Sequence, residues 1–476
     1  MLGTPENREG KSMSRATHNV APPGTLAARD LESLLHPATN LATHHERGPL
    51  VFARAEGIYI WDESGKQYLE GLAGLWCTAL GYGVDELVET AARQMKKLTY
   101  SHLFGGRSHE PAIALAEKLK SMMPFDVGRV FFGNSGSDAN DTQVKLAWYY
   151  NNAIGRREKK KIISRAKAYH GVTVASGSLT GLPAFHRDFD LPIPQVLHTD
   201  CPHYYRFGEP GESEAEFASR LADNLEQLIL KEGPDTVAAF IAEPVMGAGG
   251  VIPPPATYFE KIKRVLDKYD VWLIDDEVIC GFGRTGNPFG CETYGFIPTT
   301  MTVAKALSSA YLPISAVLIP EWMYEPFVEQ SRQIGTFGHG FTYSGHPVCA
   351  AVALKNLELI EERDIFAHAA ARAPRFQERL AALGDHPLVG ETRGVGLVGG
   401  LELVANKETR APFDPTLGVG LTCVDRCEDE GLIVRPLGDT IAICPPLIIN
   451  DAQIDELFDK LTRALDQTLA RVGSDS

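Results

Sequence analysis

The sequence predicts an α/β protein with a mostly parallel central sheet in a large domain and a smaller α+β domain. Three observations carry this. From about residue 112 to 320, short runs rich in β-branched residues alternate with helical ones, the order of a parallel sheet covered by helices. Beyond about Asp364 the order changes to a helix, short strands at Val395–Val404 and Ile441–Ile443, and a final helix over Asp451–Leu469. A chain of 476 residues can also bury a large core and has room for roughly two to four domains.

In chain order, Met1–Thr25 is polar, rich in Gly, Pro and Ser and without an apolar secretory core. It reads as a disordered tail or a misassigned start, with Met13 as an alternative initiator. Residues 26–75 read as an N-terminal segment joining the small domain, 76–350 as the large domain and 351–476 as the C-terminal small domain. Strands are expected at Arg129–Phe132, Lys161–Ser164, Val174–Ser176, Val237–Ala242, Val271–Ile274, Met301–Val303 and Ala316–Ile319. Val352–Glu361 looks like the start of a long connecting helix. There are no internal repeats and no low-complexity linker.

Bulk properties exclude some functions. Hydrophobic content of 44% and charged content of 22% suit a soluble globular protein. A net charge of −15 argues against nucleic acid or an anionic membrane as the main partner, and no run of about 20 apolar residues is present. Eight cysteines are scattered with no Cys-x-x-Cys pair, so free thiols and a cytoplasmic location are expected. Cys423 and Cys427 lie one helical turn apart without further ligands at metal spacing; they read as core thiols, and no metal is expected.

The chemistry is carried by Lys305 and Asp276. Lys305 lies in Met-Thr-Val-Ala-Lys-Ala-Leu-Ser-Ser-Ala, and Asp276 ends the apolar run Val271–Ile274 within Leu-Ile-Asp-Asp-Glu-Val. An amine that forms an imine and a carboxylate that keeps a pyridine nitrogen protonated are the two groups pyridoxal phosphate requires. Acids at the carboxyl end of a parallel strand face the ligand crevice. Each residue alone reads more readily as a solvated strand end or a turn. Two further runs raise the pair above that. Asn134-Ser135-Gly136-Ser137-Asp138-Ala139-Asn140 follows a strand and opens a helix, so Gly136 admits an anion, Ser135 and Ser137 offer hydroxyls, and the helix start offers free amides. Ala168-Tyr169-His170-Gly171 follows the next strand and offers an aromatic face to a planar ring.

Taken together in this order, the runs resemble the class III aminotransferases of the fold-type I pyridoxal-phosphate enzymes. Gly57-Ile58-Tyr59-Ile60-Trp61-Asp62 with Gly65 and Tyr68-Leu69 is similar to that family's opening hairpin. Glu243-Pro244, Asp276-Glu277-Val278, Gly281-Phe282-Gly283-Arg284-Thr285-Gly286 and His339-Gly340-Phe341-Thr342-Tyr343-Ser344-Gly345-His346-Pro347 complete a match that runs from about His36 onward. The resemblance implies that Lys305 binds the cofactor covalently and that Asp276 holds its ring nitrogen. Val278 and Tyr169 would pack on opposite ring faces, and Ser135, Gly136 and Ser137 would hold the phosphate. Thr342 would reach that phosphate from a neighbouring subunit of a homodimer or a dimer of dimers. His170 and Glu243 would support the cofactor, the role of Glu243 being open between a contact behind the site and a salt bridge.

Within the family, members acting on ornithine, acetylornithine or 4-aminobutyrate usually carry a Glu soon after the Glu-Pro pair, a Gln beside Asp-Glu-Val and an Arg before the late Pro-Pro. This chain has Ala248, Ile279 and Ala442 there. Its Gly74-Leu75-Trp76-Cys77 and Val434-Arg435-Pro436-Leu437-Gly438-Asp439 are similar to those of the ω-amino acid or amine:pyruvate transaminases. That branch implies an apolar donor pocket of Trp76, Tyr169, Ala248, Ile279 and Phe341, with Arg435 binding the carboxylate of pyruvate or alanine through its two-pronged guanidinium. A small-molecule amine donor and a keto acid acceptor are the implied partners. The alternatives are a 2-oxoglutarate-using member, an aminomutase, a decarboxylating relative or a catalytically silent cofactor-binding protein. Two departures stand out: Ala306, where the family often has Gly after the lysine, bears on packing rather than chemistry, and Glu329–Gly338, longer than expected, bears on the pocket rim.

Overall fold

The computed structural model describes Pro22 and residues 24–474. The tail expected over 1–25 therefore falls outside the described residues, Pro22, Gly24 and Thr25 apart. The chain forms two compact units, one of residues up to Ala55 with Ile60–Gln67 and one of Glu56–Tyr59 with Tyr68–Ser476. The smaller unit holds helices Leu26–Ser33 and Leu41–Arg47, each opened by a side-chain cap, from Thr25 and Asn40 respectively.

The larger unit is built on a seven-stranded sheet. Its spatial order is Arg129–Gly133, Ser315–Ile319, Thr300–Val303, Trp272–Asp276, Val237–Ala242, Lys161–Arg165 and Val196–Thr199. Ser315–Ile319 runs antiparallel to both neighbours, and the other observed pairings are parallel. Val237–Ala242 and Trp272–Asp276 are buried along their whole length, which is why they read as continuous apolar runs with no alternation. A second, antiparallel sheet orders Val389–Val395, Val398–Leu403, Thr440–Ile443 and Arg435–Leu437. Gly396, at φ +58, turns the first two strands, and a Cβ there would lie 2.4 Å from the Arg284 carbonyl oxygen. Leu69 and Glu70 pair in parallel with Leu432 and Ile433.

One expected strand is a helix. Val174–Leu179 winds into a short helix after Thr173, and the Ser176 amide donates to Asp141 Oδ1 at 2.7 Å. The β-branched run there was too short to outweigh this tertiary contact. Val196–Thr199, at the edge of the main sheet, is a strand that the sequence analysis did not find. The long stretch Glu329–Gly338 extends the helix Glu321–Ile334 and then docks Phe337 against Tyr149 and Phe327.

The connecting helix Pro347–Glu362 fixes the turn that follows Thr300–Val303. Asn356, fully buried, donates to the carbonyls of Ala306 and Leu307 at 2.9 and 3.0 Å and accepts from Ser309 Oγ at 2.6 Å. Removing it orphans buried polar groups that water cannot reach. Asn356→Leu is expected to cost about 2–4 kcal/mol, read as a lower denaturant midpoint at unchanged m-value.

Candidate active site

Four segments meet at one edge of the main sheet. Asp276 ends its strand, and its register partner on the adjacent parallel strand is Thr302, three residues before Lys305. Both groups therefore emerge from carboxyl ends of neighbouring strands. Lys305 is half-buried and takes a left-handed φ of +48, held within the turn that Asn356 braces. Ala306 after it has no positive φ, so its methyl group brings no backbone strain.

The carboxylate of Asp276 is buried and fully oriented. Oδ2 accepts from Asn140 Nδ2 at 2.7 Å and from His170 Nδ1 at 2.8 Å, and Oδ1 accepts from the Val278 amide at 3.1 Å. Asn140 also donates to the His170 carbonyl at 2.8 Å, tying the two together. Thr180 Oγ1 accepts from the amides of His170 and Gly171 at 2.9 and 3.3 Å, which fixes the turn that follows Tyr169.

The helix Gly136–Ala153 points its first turn at the same place. Ser135 is the N-cap and forms a capping box with Asp138, so Ser135 serves the helix itself. Gly136 lies against Val278: a Cβ on Gly136 would stand 3.1 Å from both Val278 methyl groups. Ser137 Oγ accepts from the Val172 amide at 3.2 Å, and Gly171, at φ +138, lets the backbone pass within 2.6 Å of that hydroxyl, measured from where a Cβ would sit. The start of an 18-residue helix, a cradle without Cβ atoms, a buried carboxylate and a lysine thus converge, and this donor set fits pyridoxal phosphate.

Tyr169 is half-buried with its ring edge-on to Phe185 at 5.6 Å. Glu243 braces it: one carboxylate oxygen accepts from the Tyr169 amide at 3.1 Å, the other from the Gly247 amide at 2.9 Å. Glu243 is thus bonded to backbone and not to a salt-bridge partner, and its burial pushes the carboxyl above its ordinary range. Ala248 follows in the turn it holds.

An apolar cluster closes the site. Trp76 and Ile279 pack with Val245, Cys280, Ala442 and Cys444. Arg435 pairs directly with Ala442, and paired residues project to the same sheet face, so Arg435 is directed to this cluster. Burial lowers the Arg435 pKa and raises that of the Tyr169 phenol, and each group's charge counters the shift of the other. Two residues lie elsewhere in the chain. Phe341 packs on Phe131 and His339, and Thr342 is exposed. Cys423 and Cys427 are buried in the helix Val419–Asp429, as expected of core thiols.

Asn140, Thr180 and Asn356 were not singled out from the sequence. Asn140 alone had a signal, lying four residues after Gly136 and hence on the same helix face. The other two act through folds of the chain that bring distant segments together.

The residues flanking Asp276 form a second feature. Strand alternation turns Asp275 and Glu277 to the face opposite Asp276. Both are fully buried; among the described residues the two Asp275 oxygens and Glu277 Oε2 have no hydrogen-bond partner within bonding geometry, and Cys291 Sγ is close by. Burial pushes both acids up, and the charge of Glu277 pushes Asp275 up further.

Comparison with known proteins agrees with this geometry. Residues 41–465 match the family model "Aminotransferase class-III", and the chain belongs to that family. Gamma aminobutyrate transaminase 3, chloroplastic, of Solanum lycopersicum is 55% identical over 425 residues, covering 89% of this chain and 82% of that protein. A gamma-aminobutyrate transaminase named as mitochondrial from Oryza sativa subsp. japonica is 54% identical over the same length and shares. Among solved structures, an omega transaminase from Pseudomonas jessenii in complex with PMP superposes with TM-score 0.93 at 52% identity, covering 94% of this chain and 99% of that one. A transaminase with L-alanine gives TM-score 0.88 at 57% identity, covering 89% and 100%. The protein is a class III, pyridoxal-phosphate-dependent aminotransferase of fold type I, acting on an amine donor and a keto acid acceptor. Among the described residues, no helix is long and apolar enough to cross a membrane.

Because the folded pKa values of Asp275 and Glu277 lie above the unfolded ones, their stabilising contribution is present below about pH 4 and is lost as pH rises through the folded values. Asp275→Asn replaces the ionisable acid with a neutral amide. Its melting temperature is expected to gain on the parent's as pH rises from about 5 to about 8; parallel pH profiles would show that the pair carries no such charge.

Proposed function

We propose that this enzyme moves an amino group from an ω-amino acid, diamine or amine to pyruvate, giving alanine. Arg435 carries the reading. It is half-buried, directed to an apolar cluster, and paired with no carboxylate among the described residues. A cation so placed lacks a counter-charge that a small keto acid supplies, with two parallel hydrogen bonds to its fork. The donor then needs no charge of its own opposite Arg435, and Trp76, Ile279 and Ala248 offer it apolar surface. The relatives named for 4-aminobutyrate keep that ω-amino acid among the donors despite Ala248, Ile279 and Ala442. The solved relative with L-alanine supports the pyruvate side.

In this reading pyridoxal phosphate, when bound, supplies an electron sink for the substrate carbon. Asp276, oriented by Asn140 and His170, would hold the ring nitrogen, and Val278 and Tyr169 would pack against the ring. Gly136, Ser137 and the helix start would hold the phosphate, with Thr342 of a second subunit reaching it. Lys305 would bind the cofactor, and its amine would move the proton at the substrate carbon. The eight unpaired cysteines support a reducing compartment such as the cytoplasm.

A panel of 4-aminobutyrate, β-alanine, putrescine and 1-phenylethylamine with pyruvate or 2-oxoglutarate tests the assignment; preference for 2-oxoglutarate overturns it. Arg435→Ala is expected to weaken the pyruvate reaction by about 2–5 kcal/mol, while the half-reaction of 1-phenylethylamine, followed by cofactor absorbance, stays nearly unchanged. Arg435→Lys recovers only part, because a point charge lacks the fork. Equal damage to both halves indicates a structural role for Arg435.

The shared site is tested by mixing. Thr342→Asp chains combined with Lys305→Ala chains are expected to form hybrids with one intact site and to regain partial activity. No regain after demonstrated subunit exchange counts against Thr342 acting across the interface.

A further inference from the structure

The turn that carries Trp76 is strained, and nothing in the reaction itself requires the strain. Ala73, Gly74 and Trp76 all take left-handed φ values, +51, +68 and +65. Two of the three bear side chains, and such backbone persists only where its surroundings fix it. Glu70 is placed to do so. It is 3% exposed, and its Oε1 accepts from the Leu72 amide at 2.9 Å. The Leu72 carbonyl in turn accepts from the Trp76 amide at 2.9 Å, so the residue that Glu70 grips is the one that closes the turn. The Tyr82 hydroxyl reaches Glu70 Oε2 at 3.4 Å, and it lies 3.5 Å from where a Cβ on Gly74 would sit. Among the described residues no Lys or Arg forms a salt bridge with Glu70. A fully buried carboxylate without a cation is costly, and its acceptor bonds to this turn are what it gains in exchange.

We propose that Glu70 is a positioning residue that shapes the donor pocket by clamping the left-handed turn carrying Trp76, and that protonating Glu70 loosens the clamp. This rests on the reading of Trp76 as a wall of that pocket. Burial pushes Glu70 up to about 7, while the amides of Leu72 and Gly74 and the Tyr82 hydroxyl pull it back. Both protonation forms therefore coexist near neutral pH, and the neutral acid is the weaker acceptor. The ionisable groups facing Glu70 are Tyr82, Cys77 and Cys444; both thiols also feel the cations Lys305 and Arg284. The clamp thus borders the catalytic lysine without touching it.

The test uses cofactor-loaded parent, Glu70→Gln and Trp76→Ala, each followed by cofactor absorbance with 1-phenylethylamine as the bulky donor and 4-aminobutyrate as the slender one. No acceptor is needed. Trp76→Ala is expected to shift the ratio of the second-order half-reaction rate constants for the two donors, and Glu70→Gln to shift it by about fivefold, the size of one lost hydrogen bond. An unchanged ratio in Trp76→Ala defeats the pocket reading. A shifted ratio there beside an unshifted one, or an equal loss on both donors, in Glu70→Gln overturns the role of Glu70 alone. A second measurement needs no change at Glu70: parent fluorescence minus that of Trp76→Phe isolates Trp76, and this signal is expected to titrate with a midpoint of about 7. A flat signal between about pH 5.5 and about 8.5 overturns the protonation link.

Discussion

A buried carboxylate at the end of a strand is the constraint around which this site is arranged. Asp276 is out of water, so each lone pair needs a donor, and three come from three different segments: Asn140 on a helix, His170 in a loop and the Val278 amide beyond its own strand. Meeting that demand forces the helix start, the Tyr169 loop and the strand end into register. Once they are there, the free amides of the helix and the glycine cradle of Gly136 and Gly171 occupy the same crevice. The anion-binding end of the site therefore follows from how the carboxylate is satisfied, and rigidity at one end is inherited by the other.

The same strand end carries two acids on its hidden face. Asp275 and Glu277 share one buried space with Cys291. Two additional ionised carboxylates in that space would be costly to bury. Strand alternation separates the functions: one acid toward the crevice, two toward the core. Lys305 is treated differently. Its turn is held through backbone carbonyls by Asn356, which leaves the amine itself half-buried and unencumbered by the brace.

Much of this was legible in the chain because it is written in contiguous runs. The strands ending at Asp276 and Ala242 are uniformly apolar because both faces are covered, and the phosphate loop is a strand, a glycine turn and a capped helix in sequence order. What escaped depends on contacts between distant segments. Val174–Leu179 is helical because Asp141 takes the Ser176 amide, a partner that no local pattern reveals. Val196–Thr199 is an edge strand, with a half-buried pattern too short to distinguish from a loop. Asn356 follows Lys305 by some fifty residues and reads locally as one polar residue on a helix. Glu243 was visible as an acid after a strand, but its partners, the amides of Tyr169 and Gly247, are a property of two loops meeting.

Specificity rests on a different kind of contact from catalysis. Asp276 and Lys305 are set by hydrogen bonds and strand register, whereas in the proposed function the donor side would be a surface of Trp76, Ile279 and their apolar neighbours, discriminating by shape. Shape alone separates substrates weakly, on the order of 1–3 kcal/mol per methylene. A pocket of this kind gains selectivity when its wall is held still, and a strained turn anchored on buried Glu70 is a means of holding it. In the same proposal Arg435, at the edge of the second sheet, would add the complementary device, a cation that rewards a carboxylate and leaves an uncharged donor indifferent. One pocket would then accept both an apolar amine and a small keto acid in turn, as alternating half-reactions in a single site demand.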